Sequence, residues 1–307
     1  MSGASLERVR LADGRRLVVK RVTPQTDITL RLLGGTVSRE YLLWRNGALD
    51  RLPAGVAHAL EDGWLEGDAT VIVMRDLGDA ALTWDDRLTA EQTRMVVDRS
   101  ARLHRAFLGD PPPDLCPLDT VLDLFAPHRI GALALEGNEL ARLAQRGWEL
   151  FQERVDTEVA QPAMRLLADV RPLADALLRG PVTLLHGDLA TVNMAFEHDD
   201  LVLLDWAVAT AGPGVLDVTR FLAGCSSVIG LERQEVLAHY ERVAGPASDA
   251  PSTSAALLAG LLWLGWNKAL DAAEHPDEGV RAREAADLDW WVRRAREAFE
   301  EGVETWS

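Results

Sequence analysis

The chain has 307 residues, of which 48% are hydrophobic and 26% charged, a composition typical of a globular protein long enough to bury a sizeable core. Its net charge of −16 argues against nucleic-acid binding, which needs a basic surface. The longest apolar run is shorter than the roughly 20 residues that span a bilayer, and the two cysteines, Cys116 and Cys225, are too few for a disulfide framework. Because the first residues also lack the apolar stretch of a signal peptide, we expect a cytoplasmic protein with neither nucleic-acid nor membrane partners.

The hydrophobic periodicity divides the chain into a strand-rich first part and a helical second part. In the first part, alternating apolar residues and turn signals predict two antiparallel strand pairs, at residues 6–11 with 16–22 and 64–66 with 69–74. Apolar residues at helical spacing predict one helix over residues 36–49, capped by Thr36 or Ser38. From residue 89 onward the spacing predicts helices over residues 91–107, 137–154, 162–178, 216–225, 233–243, 252–273 and 280–302.

A predicted hairpin interrupts the helical part and carries three polar residues at fixed spacing. Asp188 belongs to a His-Gly-Asp triplet, Asn193 follows it by five positions, and Asp205 ends an apolar strand twelve positions further on. In kinase-type phosphoryl transfer one carboxylate accepts the proton of the acceptor hydroxyl, while an amide oxygen and a second carboxylate hold Mg²⁺ against the nucleotide phosphates. A polar turn at residues 197–200 would fold Asp205 back beside Asn193. The alternative is a surface hairpin that carries these polar residues by chance.

Lysine is rare in this chain, since only Lys20 and Lys268 occur. Lys20 lies in the middle of a predicted strand, and Glu40 lies near the start of the helix that follows. Kinase-type sites require a strand lysine that reaches the α- and β-phosphates and a helix glutamate that orients it. Lys20 and Glu40 are therefore our candidates for this pair. The alternatives are an edge-strand surface cation and an acidic residue that suits a first helical turn.

Together these motifs resemble those of the aminoglycoside phosphotransferase and choline kinase-like family of small-molecule kinases. The resemblance covers nearly the whole chain and rests on residues 17–20, Arg39-Glu40, residues 71–78 and 101–104, His186-Gly187-Asp188-Leu189 with Asn193, Leu204-Asp205-Trp206, and Gly212-Pro213 with Asp217. It implies an α+β, two-lobed protein kinase-like fold. A small antiparallel-sheet lobe with one helix would occupy residues 1–77, and a larger, mainly helical lobe with the catalytic and acceptor-binding groups would occupy residues 78–307.

The same resemblance implies a role for each residue of the catalytic motif. Asp188 would be the catalytic base, and Asn193 and Asp205 would be the Mg²⁺ ligands. Lys20 and Glu40 would be the pair that positions the phosphates of ATP or GTP.

The resemblance also implies how the rest of the site is built. Met74 would lie against the adenine ring, and the backbone of Arg75 and Leu77 would bind the edge of that ring. Asp217 would brace the catalytic loop. Independently of the resemblance, we expect His186, which lies in an apolar run, to orient that loop by hydrogen bonds.

Two features set the chain apart from other kinases. Only residues 206–216 separate Asp205 from Asp217, and no Ala-Pro-Glu occurs, so the activation segment of a protein kinase is missing. Only nineteen residues precede Lys20, too few for two strands joined by a glycine-rich loop. Either the true start lies upstream of Met1, or the nucleotide is held by a minimal flap that includes Gly3-Ala4-Ser5.

We therefore expect an ATP- and Mg²⁺-dependent phosphotransferase, a monomer or homodimer, that acts on a hydroxyl of an aminoglycoside, amino sugar, amino alcohol or related small molecule. The alternative is a catalytically silent protein of the same fold that binds a ligand or partner. The acidic composition predicts a cationic acceptor, with a site surrounded by Asp85, Asp86, Asp271, Glu284, Asp287 and Asp289. The competing interpretation is that these carboxylates form a solvated helix face.

Overall fold

The structure is a computed structural model of the chain, and it describes residues 3–302. The strands are β1 (Ser5–Arg10), β2 (Arg16–Val22), β3 (Val56–His58), β4 (Leu60–Glu66), β5 (Ala69–Arg75), β6 (Thr183–Leu185), β7 (Met194–Glu197), β8 (Asp200–Leu203) and β9 (Thr210–Gly212). The helices are α1 (Ile28–Leu32), α2 (Arg39–Arg45), α3 (Ala90–Ala106), α4 (Leu118–Leu122), α5 (Pro127–Leu135), α6 (Glu139–Arg154), α7 (Thr157–Ala168), α8 (Arg171–Leu177), α9 (Val215–Cys225), α10 (Arg233–Ala244), α11 (Ala250–Glu274) and α12 (Glu278–Glu300).

The first part of the chain forms a four-stranded antiparallel sheet in the order β1–β2–β5–β4. Both predicted strand pairs are present, since β1 pairs with β2 and β4 pairs with β5. In the second half of β2, Lys20 and Val22 are buried and Arg21 between them is exposed. Because successive side chains of a strand point to opposite faces, Lys20 shares its face of the sheet with Val18 and Val22.

The prediction of one helix in this lobe is wrong, because the structure has two short ones, α1 and α2. The sequence signal for α1 is the carboxylate of Asp27, which accepts a hydrogen bond from the Leu30 amide at 2.8 Å and so caps the helix. Helix α2 is also shorter than the predicted range 36–49 and begins after Ser38.

The second part of the chain is mainly helical, and α11 lies at its centre, packed against α6, α9 and α12. Gly147 of α6 permits a close approach to α11, because a Cβ at this position would collide with the carbonyl of Trp266. Two large side chains that fill this core, Trp148 and Trp291, are almost completely buried. The predicted α+β architecture is present, with a small antiparallel-sheet part followed by a larger, mainly helical part.

One prediction for the helical part is wrong, and two helices were missed. The predicted helix 162–178 is two helices, α7 and α8, because Asp169 has an extended backbone and its carboxylate accepts a hydrogen bond from the Arg171 amide at 3.2 Å. Pro172 then occupies the first turn of α8, where a missing N–H costs nothing. Helices α4 and α5 were not predicted, although each has a proline at its start, Pro117 and Pro127.

Two smaller sheets include or flank the predicted hairpin. β3 runs parallel to β8, which pairs with β7, and β6 pairs with β9. β3 therefore belongs to the first 77 residues of the chain but pairs with the second part, so the boundary at residue 77 stays a prediction. No helix within residues 3–302 has the length and apolar character needed to cross a membrane.

Candidate active site

The strand lysine lies between two carboxylates. Lys20 Nζ lies 2.9 Å from Glu40 Oε2 and 2.8 Å from Asp205 Oδ1. Lys20 is 7% exposed and Glu40 is fully buried, so each charge needs its partner. The structure thus brings together the two candidates for the phosphate-positioning pair and one candidate metal ligand.

The pKa values of these groups follow from that arrangement. Burial favours the neutral amine of Lys20, but the carboxylates of Asp205 and Glu40 outweigh burial and raise its pKa. Burial likewise favours the neutral acid of Asp205, but the charge and hydrogen bond of Lys20 lower its pKa. Both groups are therefore charged at neutral pH, as binding of phosphates and of a divalent cation requires.

The backbone of the loop that carries Asp188 is bound by the side chain of Asp217, in the first turn of α9. Its two carboxylate oxygens accept hydrogen bonds from the backbone amides of His186 and Gly187, each at 2.8 Å. His104 Nε2 lies 3.2 Å from Asp217 Oδ2. Burial would raise the pKa of Asp217, but these hydrogen bonds and the nearby histidines lower it. An ionised, buried carboxylate thus fixes the backbone of the loop that carries Asp188.

The two residues before Asp188 are fixed by local geometry. Gly187 has φ +83°, and a Cβ here would collide with the carbonyl of Val208, so the loop requires glycine at this position. His186 Nε2 donates to the Leu204 carbonyl at 2.9 Å, and its Nδ1 accepts from the Asp188 amide at 3.3 Å. One neutral tautomer satisfies both hydrogen bonds, and it joins the loop to the strand end that precedes Asp205.

Asp188 itself is held by two side chains. Asn193 Nδ2 donates to Asp188 Oδ2 at 3.0 Å and to its backbone carbonyl at 2.9 Å. Arg220 Nη2 lies 2.5 Å from Asp188 Oδ1. The Asp188 side chain remains 35% exposed, so these two contacts leave it accessible to a small molecule.

The hairpin brings Asn193 and Asp205 together. β7 and β8 pair in register from Met194 opposite Leu203, and the Leu204 amide donates to the Asn193 carbonyl at 2.9 Å. The amide nitrogen of Asn193 is used on Asp188, which leaves its Oδ1 as the atom that can ligate a cation. Asp205 has φ 60°, a left-handed conformation that is rare outside glycine and clusters at functional sites.

This pair of oxygen donors fits Mg²⁺. One carboxylate and one amide oxygen are hard ligands, and Mg²⁺ is commonly held by one or two carboxylates together with substrate phosphates and water. In the described part of the chain no three histidine, cysteine or acidic side chains come together as a metal site. A cation here would therefore complete its coordination with phosphate and water oxygens.

A cavity of about 650 Å³ opens beside these groups, within the size range of small-molecule sites. Lys20, Asn193 and Asp205 line it, and so do the three predicted adenine-site residues Met74, Arg75 and Leu77. Glu40 does not line it and lies behind Lys20. Ala4 of the expected flap lines the cavity, together with Leu6 and Arg8 of β1. The involvement of β1 was not predicted from the sequence.

Arg220 is the main residue of the site that we did not predict. It lies three positions after Asp217 on α9, and residues three apart share a helix face. That spacing is a signal that could have identified it, since Asp217 was already assigned to the catalytic loop.

A second, polar cavity of about 510 Å³ lies among α9, α11 and α12 and includes Asp85, Asp271 and Glu284 in its lining. Burial and the charge of Glu284 raise the pKa of Asp271. Asp287 does not line it. This residue is 3% exposed and forms ion pairs with Lys268 and Arg233.

The prediction that six carboxylates surround one site is therefore wrong. Asp287 and Glu284 are counter-ions of Lys268, Asp86 accepts hydrogen bonds from Thr83, and Asp289 lies against another surface cavity. The sequence pattern placed them near one another but could not show which ones were already paired.

The two-lobed fold, the buried lysine–glutamate pair and the hairpin with Asp188, Asn193 and Asp205 define a protein kinase-like phosphotransferase. The sequence profile of the phosphotransferase enzyme family (APH) matches residues 2–253, and the chain belongs to this family. It is a small-molecule kinase. None of the curated proteins compared with the chain gives a significant match.

Solved structures of small-molecule kinases share the fold. An amicoumacin kinase in complex with AMP-PNP, Ca²⁺ and its ligand is 11% identical, with a TM-score of 0.53 over 97% of this chain and 86% of that one. A choline kinase from Streptococcus pneumoniae is 13% identical, with a TM-score of 0.52 over 98% and 89%. A type VIII aminoglycoside-3'-phosphotransferase is 19% identical, with a TM-score of 0.51 over 85% and 90%. At these identities the similarity concerns the fold alone.

Proposed function

We propose that the chain transfers the γ-phosphoryl group of ATP to a hydroxyl of a small molecule, with Mg²⁺ as cofactor. The observation that carries this proposal is the contact between Asn193 and Asp188. This contact joins a solvent-accessible carboxylate to the pair of oxygen donors beside Lys20, at the edge of a cavity large enough for a nucleotide.

Lys20, Asn193 and Asp205 would hold the phosphates. Mg²⁺, when bound, supplies positive charge that stabilises the transferring phosphoryl group. Asn193 Oδ1 and the Asp205 carboxylate would hold this ion, and the Lys20 ammonium would form an ion pair with the α- and β-phosphates. Glu40 would keep Lys20 in place, because it accepts from Nζ and is itself immobilised by burial.

Asp188 would act as the general base. As the acceptor oxygen forms its bond to the γ-phosphorus, the bond between that phosphorus and the β,γ-bridging oxygen breaks, and ADP leaves. The hydroxyl proton passes to the Asp188 carboxylate and then to solvent. A side chain held at both oxygens is suited to this step because it presents its lone pairs in a fixed direction.

The segment that connects the lobes would bind adenine. The Arg75 amide already donates to the Ala59 carbonyl at 2.8 Å, so the backbone group that Arg75 can offer is its carbonyl oxygen. Leu77 accepts from the Ala80 amide through its carbonyl and can offer its N–H. An acceptor and a donor two residues apart match the amino group and ring nitrogen of adenine, with Met74 packed against the ring.

The acceptor is a small hydroxylated molecule, and its cationic character stays a prediction. The polar cavity among α9, α11 and α12 is the site we propose for it. Its carboxylate Glu284 is already paired with Lys268 and Arg283. This leaves Asp85 and Asp271 as the carboxylates that would form an ion pair with an amine.

Replacement of the base tests the proposal. We expect Asp188→Asn to reduce ADP release with the best acceptor of a panel of aminoglycosides, amino sugars, amino alcohols and sugars by about 10²-fold or more, because a general base contributes at the transition state. ATP-dependent thermal stabilisation should persist in this variant. Activity within about tenfold of the wild type would remove Asp188 from the role of base.

A further inference from the structure

Arg220 is a buried cation in contact with the proposed base. It is 6% exposed, its Nη2 lies 2.5 Å from Asp188 Oδ1, and its guanidinium carbon lies 5.6 Å from the ring centre of Trp263 in α11. Its Nε and Nη1 are buried and have no hydrogen-bond partner within the described structure. The contact with Asp188 is therefore the polar interaction that holds this side chain.

Stability of the fold does not account for Arg220. Burial of a guanidinium is costly, and two of its nitrogens remain unsatisfied. An apolar side chain of similar volume beside Trp263 would fill the same space without that cost. What such a side chain would lose is the interaction with Asp188.

Arg220 and Asn193 together fix the direction of the Asp188 carboxylate. Asn193 donates to Oδ2 and Arg220 to Oδ1, so both oxygens are held and rotation about the Cβ–Cγ bond is blocked. α9 provides a rigid base for this arrangement, because Asp217 on the same helix holds the backbone of the loop. Misplacement of a catalytic group by about 1 Å can cost roughly 10²-fold in rate.

We propose that Arg220 is a positioning residue for phosphoryl transfer, which acts on the reaction through Asp188. This inference rests on the proposed function. Arg220 is not among the residues that line the nucleotide cavity, so it affects the orientation of the base and leaves nucleotide binding unchanged.

The test compares Arg220→Met, Arg220→Lys and Arg220→Ala with Arg129→Met. Arg129 is a matched control, because it is also a partly buried arginine that pairs with an aspartate, Asp123 at 3.1 Å, and it touches no residue of the site. We expect Arg220→Met to lower ADP release from MgATP by about 10²-fold with an unchanged KM for ATP, Arg220→Lys to retain part of the activity, and methylguanidinium to restore part of the activity of Arg220→Ala. Arg129→Met should keep the wild-type rate. A wild-type rate in Arg220→Met would overturn the proposal.

A second measurement needs no turnover. Melting temperatures of the wild type, Arg220→Met, Asp188→Asn and the double variant form a double-mutant cycle. We expect the effects of the two substitutions on the melting temperature to be non-additive, because either substitution alone already breaks the contact. Additive effects would overturn the inference. Absence of ADP release from the wild type with every acceptor and with water would instead contradict the proposed function, so the two failures are distinguishable.

Discussion

At the scale of single residues, the site depends on charges that are buried in pairs. Lys20 is satisfied by Glu40 and Asp205, whereas Glu40 Oε1 has no hydrogen-bond partner within the described structure. The pair is therefore asymmetric. Lys20 has two anionic partners, whereas Lys20 is the one counter-ion of Glu40 among the described residues. Removal of the lysine leaves a bare carboxylate in the core, which is a large energetic cost.

We expect Lys20→Met to lower the melting temperature by several degrees, since an uncompensated buried charge costs about 3–5 kcal/mol. The double variant Lys20→Met/Glu40→Gln should recover part of this loss, because the glutamine carries no charge. Thermal unfolding without nucleotide measures both. Equal melting temperatures for the two variants would show that the unpaired charge of Glu40 is not what destabilises Lys20→Met.

Asp205 offers a residue-scale test of the metal site. Asp205→Asn keeps the shape of the side chain but removes the charge that Mg²⁺ requires. We expect the Mg²⁺-dependent part of the thermal stabilisation by ATP to disappear in this variant. Asp200→Asn, an exposed aspartate on the same hairpin, should retain it; a Mg²⁺-dependent shift that persists in Asp205→Asn would place the cation elsewhere.

At the scale of elements, the sequence predicts contacts correctly where the interacting residues lie on the same or neighbouring elements. The hairpin of β7 and β8 contains its own turn, so the convergence of Asn193 and Asp205 follows from the spacing of two strands. Lys20 and Glu40 lie on neighbouring elements, and their pairing follows from a known arrangement of strand and helix. The break between α7 and α8 depends on Asp169 and one short loop. It could not be seen in the sequence, because the apolar periodicity continues through both helices.

Long-range contacts are only partly predictable from the sequence. The spacing of three residues from Asp217 places Arg220 on the same face of α9, but it does not show that this side chain meets Asp188, 32 positions away. Likewise, Asp287 appears in the sequence as one of several acidic residues on a helix. Only the packing of α12 against α11 shows that it faces Lys268.

The contact between α11 and α12 gives an element-scale prediction. We expect Asp287→Asn to lower the melting temperature by several degrees, because Lys268 and Arg233 would lose a buried counter-ion. Asp289→Asn, on the exposed face of the same helix, should change it little. Equal melting temperatures for the two variants would show that the pairing contributes nothing to stability.

At the scale of the whole molecule, several of the 48 acidic residues are buried and have partners far away in the sequence, among them Glu40, Asp217 and Asp287. Asp217 is the most consequential, because it holds the catalytic loop from a buried position and its pKa is lowered. An aspartate with a lowered folded-state pKa stabilises the fold above its ordinary pKa, about 3.9. This contribution is lost as the pH falls through the lowered value.

We expect Asp217→Asn to be less stable than the wild type at pH 7 and the difference to shrink below about pH 4. Urea unfolding midpoints of both proteins from pH 7 to pH 3 measure this difference in stability. The effects of the other carboxylates cancel in the difference, because both proteins contain them. A difference that is the same at every pH would mean that the ionised form of Asp217 is not what holds the loop.

Both lysines of the chain are interior ion-pair partners, at 7% and 5% exposure, and this makes the protein unusual as a target of covalent labelling. Reagents that acylate amines on protein surfaces would find no accessible lysine side chain in it. An acyl-phosphate derivative of ATP, which delivers its acyl group only from within a nucleotide site, would meet a single lysine there, Lys20. One peptide would then carry the label, and competition with free ATP would report occupancy of the cleft without any knowledge of the acceptor.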